Sequence, residues 1–256
     1  MKRLVIITLL LYMIVPITWL PIKDPQLTNT MANRQPPNAD YLLGTDHLGR
    51  DVLSRLIYGG QHTLRIAGLA TLVATSIGLI WGLGIYILPQ FIRPLFYYSL
   101  DAFLAIPGLL FALLVLTLLG QSDFSLALAV GISQIAAVAR VSHSLAQQTY
   151  HQEFITAAHA LGASSWHITR HHIMPNIFRP FIAYAGIVFA YSILNSAGLS
   201  FLGVGVAPGT PDWGIMLAEG RYAFRAAPWV AFYAGLAISI TVWSINWLAD
   251  NWQKHR

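Results

Sequence analysis

The chain has 256 residues, 56% hydrophobic and 10% charged, with a formal charge of +5 and no cysteine. Ordinary soluble domains carry about 25% charged residues, and a soluble core of this length cannot hide so much apolar surface, so with a mean hydropathy of +0.59 the chain reads as an all-α, polytopic membrane protein. Disulfides and thiolate chemistry are excluded, and basic residues scattered among apolar runs, rather than gathered in a stripe, argue against a nucleic-acid partner.

The N-terminal run "MKRLVIITLLLYMIVPITWLP" has the outline of a signal peptide, but no small-x-small site follows and Pro16 and Pro21 interrupt its end. It is read as an uncleaved first span over about 4–22. A polar excursion follows over 23–62, containing "NRQPPNAD" and "GTDHLGRD". Five more apolar stretches, about 64–88, 95–119, 124–141, 178–204 and 229–249, approach the ~20 residues a helix needs to cross the hydrocarbon. Each must satisfy its own backbone in lipid, so about six transmembrane helices are expected. The organisation is 1–62, a first transmembrane helix with an outer amphipathic segment, and 63–256, a five-helix core interrupted by a polar insert at about 142–177.

Small residues punctuate the spans. Gly78 and Gly82 in the second span, and Ser196 and Ser200 in the fifth with Gly198, Gly203 and Gly205 nearby, suit close helix packing. A translocation path is the competing role for Ser200 and for Asn195, the most polar residue of that span. Trp229, Trp243, Trp247 and Trp252 fit interfacial belts at the ends of the sixth span. Asp101, near the inner end of the third span, is expected to pair with Arg93 or Arg140 in a structural role.

Orientation follows from the basic loops. A cytoplasmic N-terminus puts Lys2, Arg3, Arg93, Arg140, Arg170, Arg179, Lys254 and Arg256 inside, and seven basic residues outside. That balance is nearly even, but the short loops with Arg93 and Arg140 and the C-terminal tail all fall inside, so both termini are expected in the cytoplasm.

The insert "EFITAAHALGASSWHITRHHIMPN", Glu153 to Asn176, is then cytoplasmic. Phe154, Ala157, Ala158 and Leu161 stand at i, i+3, i+4 and i+7, one apolar face of a short helix. Gly162 supplies a stop, Ser164 or Ser165 can cap a second helix, and Pro175 is expected to end it. Two short helices at a sharp turn can lie on the membrane surface or dock into a groove on a soluble partner, and pattern alone leaves both open.

"AAHALG" followed by "IMP" resembles the EAA loop of ABC importer permeases, which reads E-A-A, three residues, G, nine residues, I-x-L-P. Ala157, Ala158, Gly162 and Pro175 match, Met174 stands for leucine, and Thr156 and His172 depart from the glutamate and isoleucine. "LLGTDHLGRDVLSRLIYGGQHTL" and "AGLSFLGVGVAPGTPDWGIMLAEGR" resemble segments of the C-type permeases of dipeptide, oligopeptide and nickel importers, after the first span and between the fifth and sixth. Together the three blocks cover about 40–250. The resemblance implies the ABC type I importer permease fold in a bacterial cytoplasmic (inner) membrane. It implies a heterodimer with a B-type permease subunit, two ABC ATPase subunits and an extracytoplasmic substrate-binding protein, with membrane lipid around and no nucleic acid. Phe154, Ala157, Ala158, Leu161, Gly162 and Pro175 are then the expected ATPase-coupling residues. Asp46, Arg50 and Asp51 either form a hydrogen-bonded cluster fixing the outer segment or meet the binding protein. The cargo stays open among short peptides, nickel and a chelated metal.

Energy must come from those partners. The three lysines, Lys2, Lys23 and Lys254, none after a glycine, leave no P-loop, so no cofactor is expected in this chain and ATP and Mg belong to the partner ATPases. No H-E-x-x-H or G-x-S-x-G occurs, and no histidine lies clearly within a span to activate Ser200 as a protease nucleophile. A stand-alone channel or secondary transporter is the alternative, although such proteins often carry charges deep in several spans. Six histidines crowd the insert: His143, His151, His159, His167, His171 and His172. The first four, eight residues apart, do not stack on one helical face, so no metal site is expected, and His47 beside Asp46 is likewise set aside as a metal contact.

Overall fold

In the computed structural model of the protein, the described residues are Tyr12 and 22–254. The expected first span, about 4–22, therefore lies outside them apart from Tyr12 and Ile22. The described residues form helices without a strand, and one isolated bridge pairs Thr45 with Asp51.

Helix α1 spans Val52–Ile87 and starts twelve residues before the expected span, so the division drawn at 62/63 falls inside it. Asp51 caps it, accepting from the Ser54 N–H at 3.0 Å. Its 36 residues measure about 54 Å, against ~30 Å of hydrocarbon, so its first turns project beyond lipid and can carry Arg55 and His62.

The stretch expected as one span over 95–119 is two helices, α2 (Arg93–Leu104) and α3 (Gly108–Leu119), bent by 91°. Pro107 is the cause. It offers no N–H, and its ring drives the preceding residue away from helical backbone.

Helix α4 spans Asp123–Tyr150, capped by Ser122, which accepts from the Ser125 N–H at 3.0 Å. The short α5 (Glu153–Ala160) and α6 (Ser165–Ile168) follow. A π-turn at Thr169–Ile173 joins α6 to α7 (Met174–Phe201). Then come α8 (Trp213–Tyr222) and α9 (Pro228–Lys254).

The long helices define two ends of a bundle. One holds the 22–51 loop, the α3–α4 connection and α8; the other holds α5 and the π-turn. Between them α1 and α4 cross on small residues. A Cβ on Gly78 would sit 2.6 Å from the Val138 Cβ, and one on Gly82 2.4 Å from the Ala139 carbonyl, the close approach expected of that pair. Val52, Leu64, Ile193, Trp213, Met216 and Val230 pack one core where α1, α7, α8 and α9 meet. Ile66, Ala70, Leu116, Leu126, Val130 and Leu199 pack a second around α4.

The outside stays apolar. Only 22% of the most apolar stretch of α9 is buried, and Phe232, Leu236, Ile240 and Trp243 face outward, as a helix against lipid requires. Trp247 and Trp252 are also exposed. Trp229 differs from the expected belt: half-buried, it donates its indole N–H to the Thr45 carbonyl at 3.0 Å, pinning α9 to the loop.

Candidate functional site

The insert folds as a hairpin with two faces. Ile155 and Ala158 turn inward and join Ile168, Ile173, Ile177, Leu83, Tyr86 and Ala146 in one cluster. Phe154, Ala157 and Leu161 point outward, with Leu161 88% exposed. The sequence grouped Ala158 with that outer set and overlooked Ile155. Two apolar faces on one eight-residue helix are the reason, since any i, i+3 or i+4 choice finds partners.

The turn after α5 is a Schellman motif. The Ala163 N–H donates to the Ala158 carbonyl at 3.0 Å and the Gly162 N–H to that of His159 at 2.9 Å. Gly162 sits at φ +83°, a left-handed conformation that needs glycine. Ser164 then caps α6, accepting from the His167 N–H at 3.2 Å. Pro175 does not end the second piece. It occupies the first turn of α7, where a missing N–H is tolerated, and the helical path runs on through the π-turn.

Aromatic contacts tie the hairpin to the bundle. Tyr86 of α1 stacks on His143 of α4 at 5.3 Å and lies 5.1 Å from Tyr150, which lies 6.0 Å from His159 of α5. The Tyr97 hydroxyl of α2 meets His143 Nε2 at 3.0 Å.

At the opposite end Asp46 and Arg50 do come together, with two partners that sequence reasoning missed. Asp46 accepts from Arg50 Nε at 2.6 Å and from the Leu48 and Arg50 N–H groups at 2.8 and 3.0 Å. Arg55, fully buried, donates to both Asp46 and Glu219. Arg50 donates to both Glu219 oxygens at 2.9 and 3.0 Å. Two guanidiniums and two carboxylates thus cancel. Burial pushes the Asp46 carboxyl up, but Arg55, Arg50 and the two N–H groups outweigh it and hold the carboxyl below its usual range. Asp51 stands apart as the α1 cap. Asp46, His47 and Glu219 lie close enough to share a cation, yet both carboxylates are already taken by arginine.

Nearby, His62 of α1 lies between two carboxylates, its Nε2 2.9 Å from Asp123 and its Nδ1 3.3 Å from Asp212. Asp212 also caps α8 and accepts from the Thr63 hydroxyl at 2.7 Å. Asn195 is half-exposed, whereas Ser200 is buried where α7 meets Gly214 of α8. Midway along the bundle Gln134 donates to the Ser192 hydroxyl at 2.9 Å and Thr71 lies 3.2 Å from it, linking α1, α4 and α7. Asp101 pairs with Arg140, one of its two expected partners, and both are largely exposed.

This arrangement has relatives. The model of the family "Binding-protein-dependent transport system inner membrane component" matches residues 74–255. The chain is 37% identical over 213 residues to the di/tripeptide transport system permease protein DppC of Pseudomonas aeruginosa, covering 83% of this chain and 70% of that protein. It is 33% identical to the dipeptide transport system permease protein DppC of Alkalihalophilus pseudofirmus (87% and 73% covered) and 34% identical to the glutathione transport system permease protein GsiD of Escherichia coli (84% and 71% covered). An inward-facing structure of the MetNI methionine ABC transporter superposes with a TM-score of 0.65 at 18% identity, over 77% of this chain and 94% of that one, and shares the fold. A family match over 182 residues and relatives of this identity and coverage place the chain: it belongs to the family of inner membrane components of binding-protein-dependent transport systems.

Proposed function

We propose that this chain is the C-type permease subunit of an ABC importer for short peptides, and that α5 is the handle by which partner ATPases move it. The observation that carries the reading is the outward apolar face of Phe154, Ala157 and Leu161, set on a helix anchored by Ile155 and Ala158. Such a face suits the groove of a soluble partner. Anchoring makes it a handle: α5 is joined to α4 by two residues and its turn leads into α6 and α7, so a push on α5 tilts both long helices. Moving a two-state permease from 1:99 to 99:1 takes about 5.5 kcal/mol of differential binding, and ATP-driven closure of an ATPase dimer on this face supplies it.

The path for cargo forms between this chain and a B-type permease subunit. Asn195 is a candidate lining residue; Ser200 lines the path only if α7 and α8 part. The end with Asp46, Arg50 and Glu219 faces the extracytoplasmic binding protein, and both termini and α5 face the cytoplasm. Relatives named for dipeptides, tripeptides and glutathione favour peptide cargo over nickel or a metal chelate.

The test uses the absence of native cysteine. Single cysteines at Phe154 and Leu161 are expected to crosslink to the ATPase subunits in the assembled complex. Crosslinking at both positions to lipid-soluble reagents instead would overturn the assignment, as would peptide transport by the chain reconstituted alone.

A further inference from the structure

We propose that His62 is a proton-operated latch at the outer end of the bundle, fastening the start of α4 to α1 and α8 while its ring is charged. The latch rests on the importer reading above, in which that end opens and closes around cargo.

Both ring nitrogens meet a carboxylate, Nε2 at 2.9 Å from Asp123 and Nδ1 at 3.3 Å from Asp212. A neutral imidazole has one N–H and one lone pair. Only the charged ring can face both carboxylates without setting a lone pair against an anion. Among the described residues, the charged groups that meet the ring are Asp123 of α4 and Asp212 at the start of α8. On α1 itself Tyr58 and Arg65 stand about one turn to either side, and the connections over 120–122 and 202–211 carry no other titratable residue. His62 lies in the turns of α1 that project beyond lipid. Burial works against the charged ring there, but Asp212 and Asp123 outweigh it and raise its pKa above the ordinary histidine value.

The two carboxylates are not equivalent. Asp212 is 2% exposed and stays in place without the ring. It accepts from the Thr63 hydroxyl at 2.7 Å and from the Gly214 and Ile215 N–H groups at 2.8 and 3.2 Å. Asp123 is 58% exposed, and His62 is its ion-pair partner among the described residues. It also sits in the first turn of α4, where the helix N-terminus favours a carboxylate in water. Loss of the proton therefore frees Asp123 and leaves Asp212 fixed, so the α4 side of the seam is the one that lets go. Helix α4 runs from this latch to Tyr150, two residues before α5. One long helix thus carries the latch at its outer end and the handle at its inner end.

The test uses spin labels on cysteines at Gln121, exposed beside Asp123, and at Tyr222, 82% exposed on α8. This chain has no native cysteine, and the assembled complex is prepared with cysteine-free partner subunits. Wild type is expected to show joined and parted populations that shift toward the parted form as pH rises above about 6.5. The ratio should change by up to about tenfold per pH unit, because one proton is released. His62→Gln should abolish the pH response and Asp123→Asn should shrink it. The exposed Asp123 site keeps the test open if the His62 variant fails to assemble. His47→Gln alters the histidine beside Asp46 and Glu219 at the same end and should respond as wild type. A pH-insensitive wild type overturns the latch, as does an undiminished response in His62→Gln or Asp123→Asn, or a loss confined to His47→Gln. Because the labels read the outer end directly, without nucleotide or cargo, failure here is distinct from failure of the α5 crosslinks.

Discussion

Arg50, in the loop before α1, grips Glu219 of α8 with two hydrogen bonds of 2.9 and 3.0 Å across 169 residues of chain. Together with Arg55 and Asp46 it locks that loop to the bundle. Removing one member of a buried ion pair leaves the other charge uncompensated, at a cost of about 3–5 kcal/mol. Asp46→Asn, at a site 1% exposed, is expected to destabilise by that order, and Glu219→Gln by less because its side chain is 18% exposed. Thermal unfolding of the purified complex checks the ranking. Equal melting of Asp46→Asn and wild type would remove the stabilising role.

The same cluster sets an acid limit. The Asp46 carboxyl is held below its usual range in the folded chain, so the unfolded chain binds its proton first as pH falls. The cluster's stabilisation is therefore complete above the unfolded value of about 3.9 and is lost as pH drops through the lower folded value. Melting temperature should stay flat between about pH 7 and 5 as far as this group is concerned. Below about pH 4 it should fall, and in Asp46→Asn this part of the acid limb should vanish.

Hydropathy located the long helices because apolar runs of that length have few alternatives. It missed the break at 105–107, although Pro107 followed by Gly108 is a local signal strong enough to have found it. Asp46 and Arg50 lie within one turn-rich stretch and so were legible as a pair. Arg55 looked like an ordinary helical arginine, and nothing in the sequence joins it to Glu219, 164 residues away. The π-turn was equally hidden: one i→i+5 bond, from the Met174 N–H to the Thr169 carbonyl, widens the helix there, and no residue type announces it.

Close packing of α1 on α4 yields a sharper expectation. A Cβ on Gly82 would meet the Ala139 carbonyl at 2.4 Å and the Ser142 Cβ at 2.7 Å. Backbone cannot rotate aside as a side chain can, so Gly82→Val must push the helices apart, at about 1–3 kcal/mol or more. Gly84, two residues on, has open space around it, and Gly84→Val should be much milder. Protease resistance of the two variants in membranes compares them directly, and equal resistance would contradict the seam.

Gly162 separates stability from coupling. Its φ of +83° is strained for any residue with a Cβ, yet no atom lies within 4 Å of where that Cβ would go. The cost of Gly162→Leu is thus the left-handed backbone alone, about 1–2 kcal/mol, too little to unfold the bundle. That strain is relieved most easily by opening the Schellman turn, which loosens α5 from α6 while Ile155 and Ala158 stay packed. The variant should reach the membrane in near-normal amount and still support ATP hydrolysis by the complex, while uptake falls. Gly162→Asn, whose side chain tolerates this backbone, should retain most uptake. Uptake per ATP hydrolysed is the deciding ratio, and an unchanged ratio in Gly162→Leu would mean that the hairpin's shape does not matter to transport.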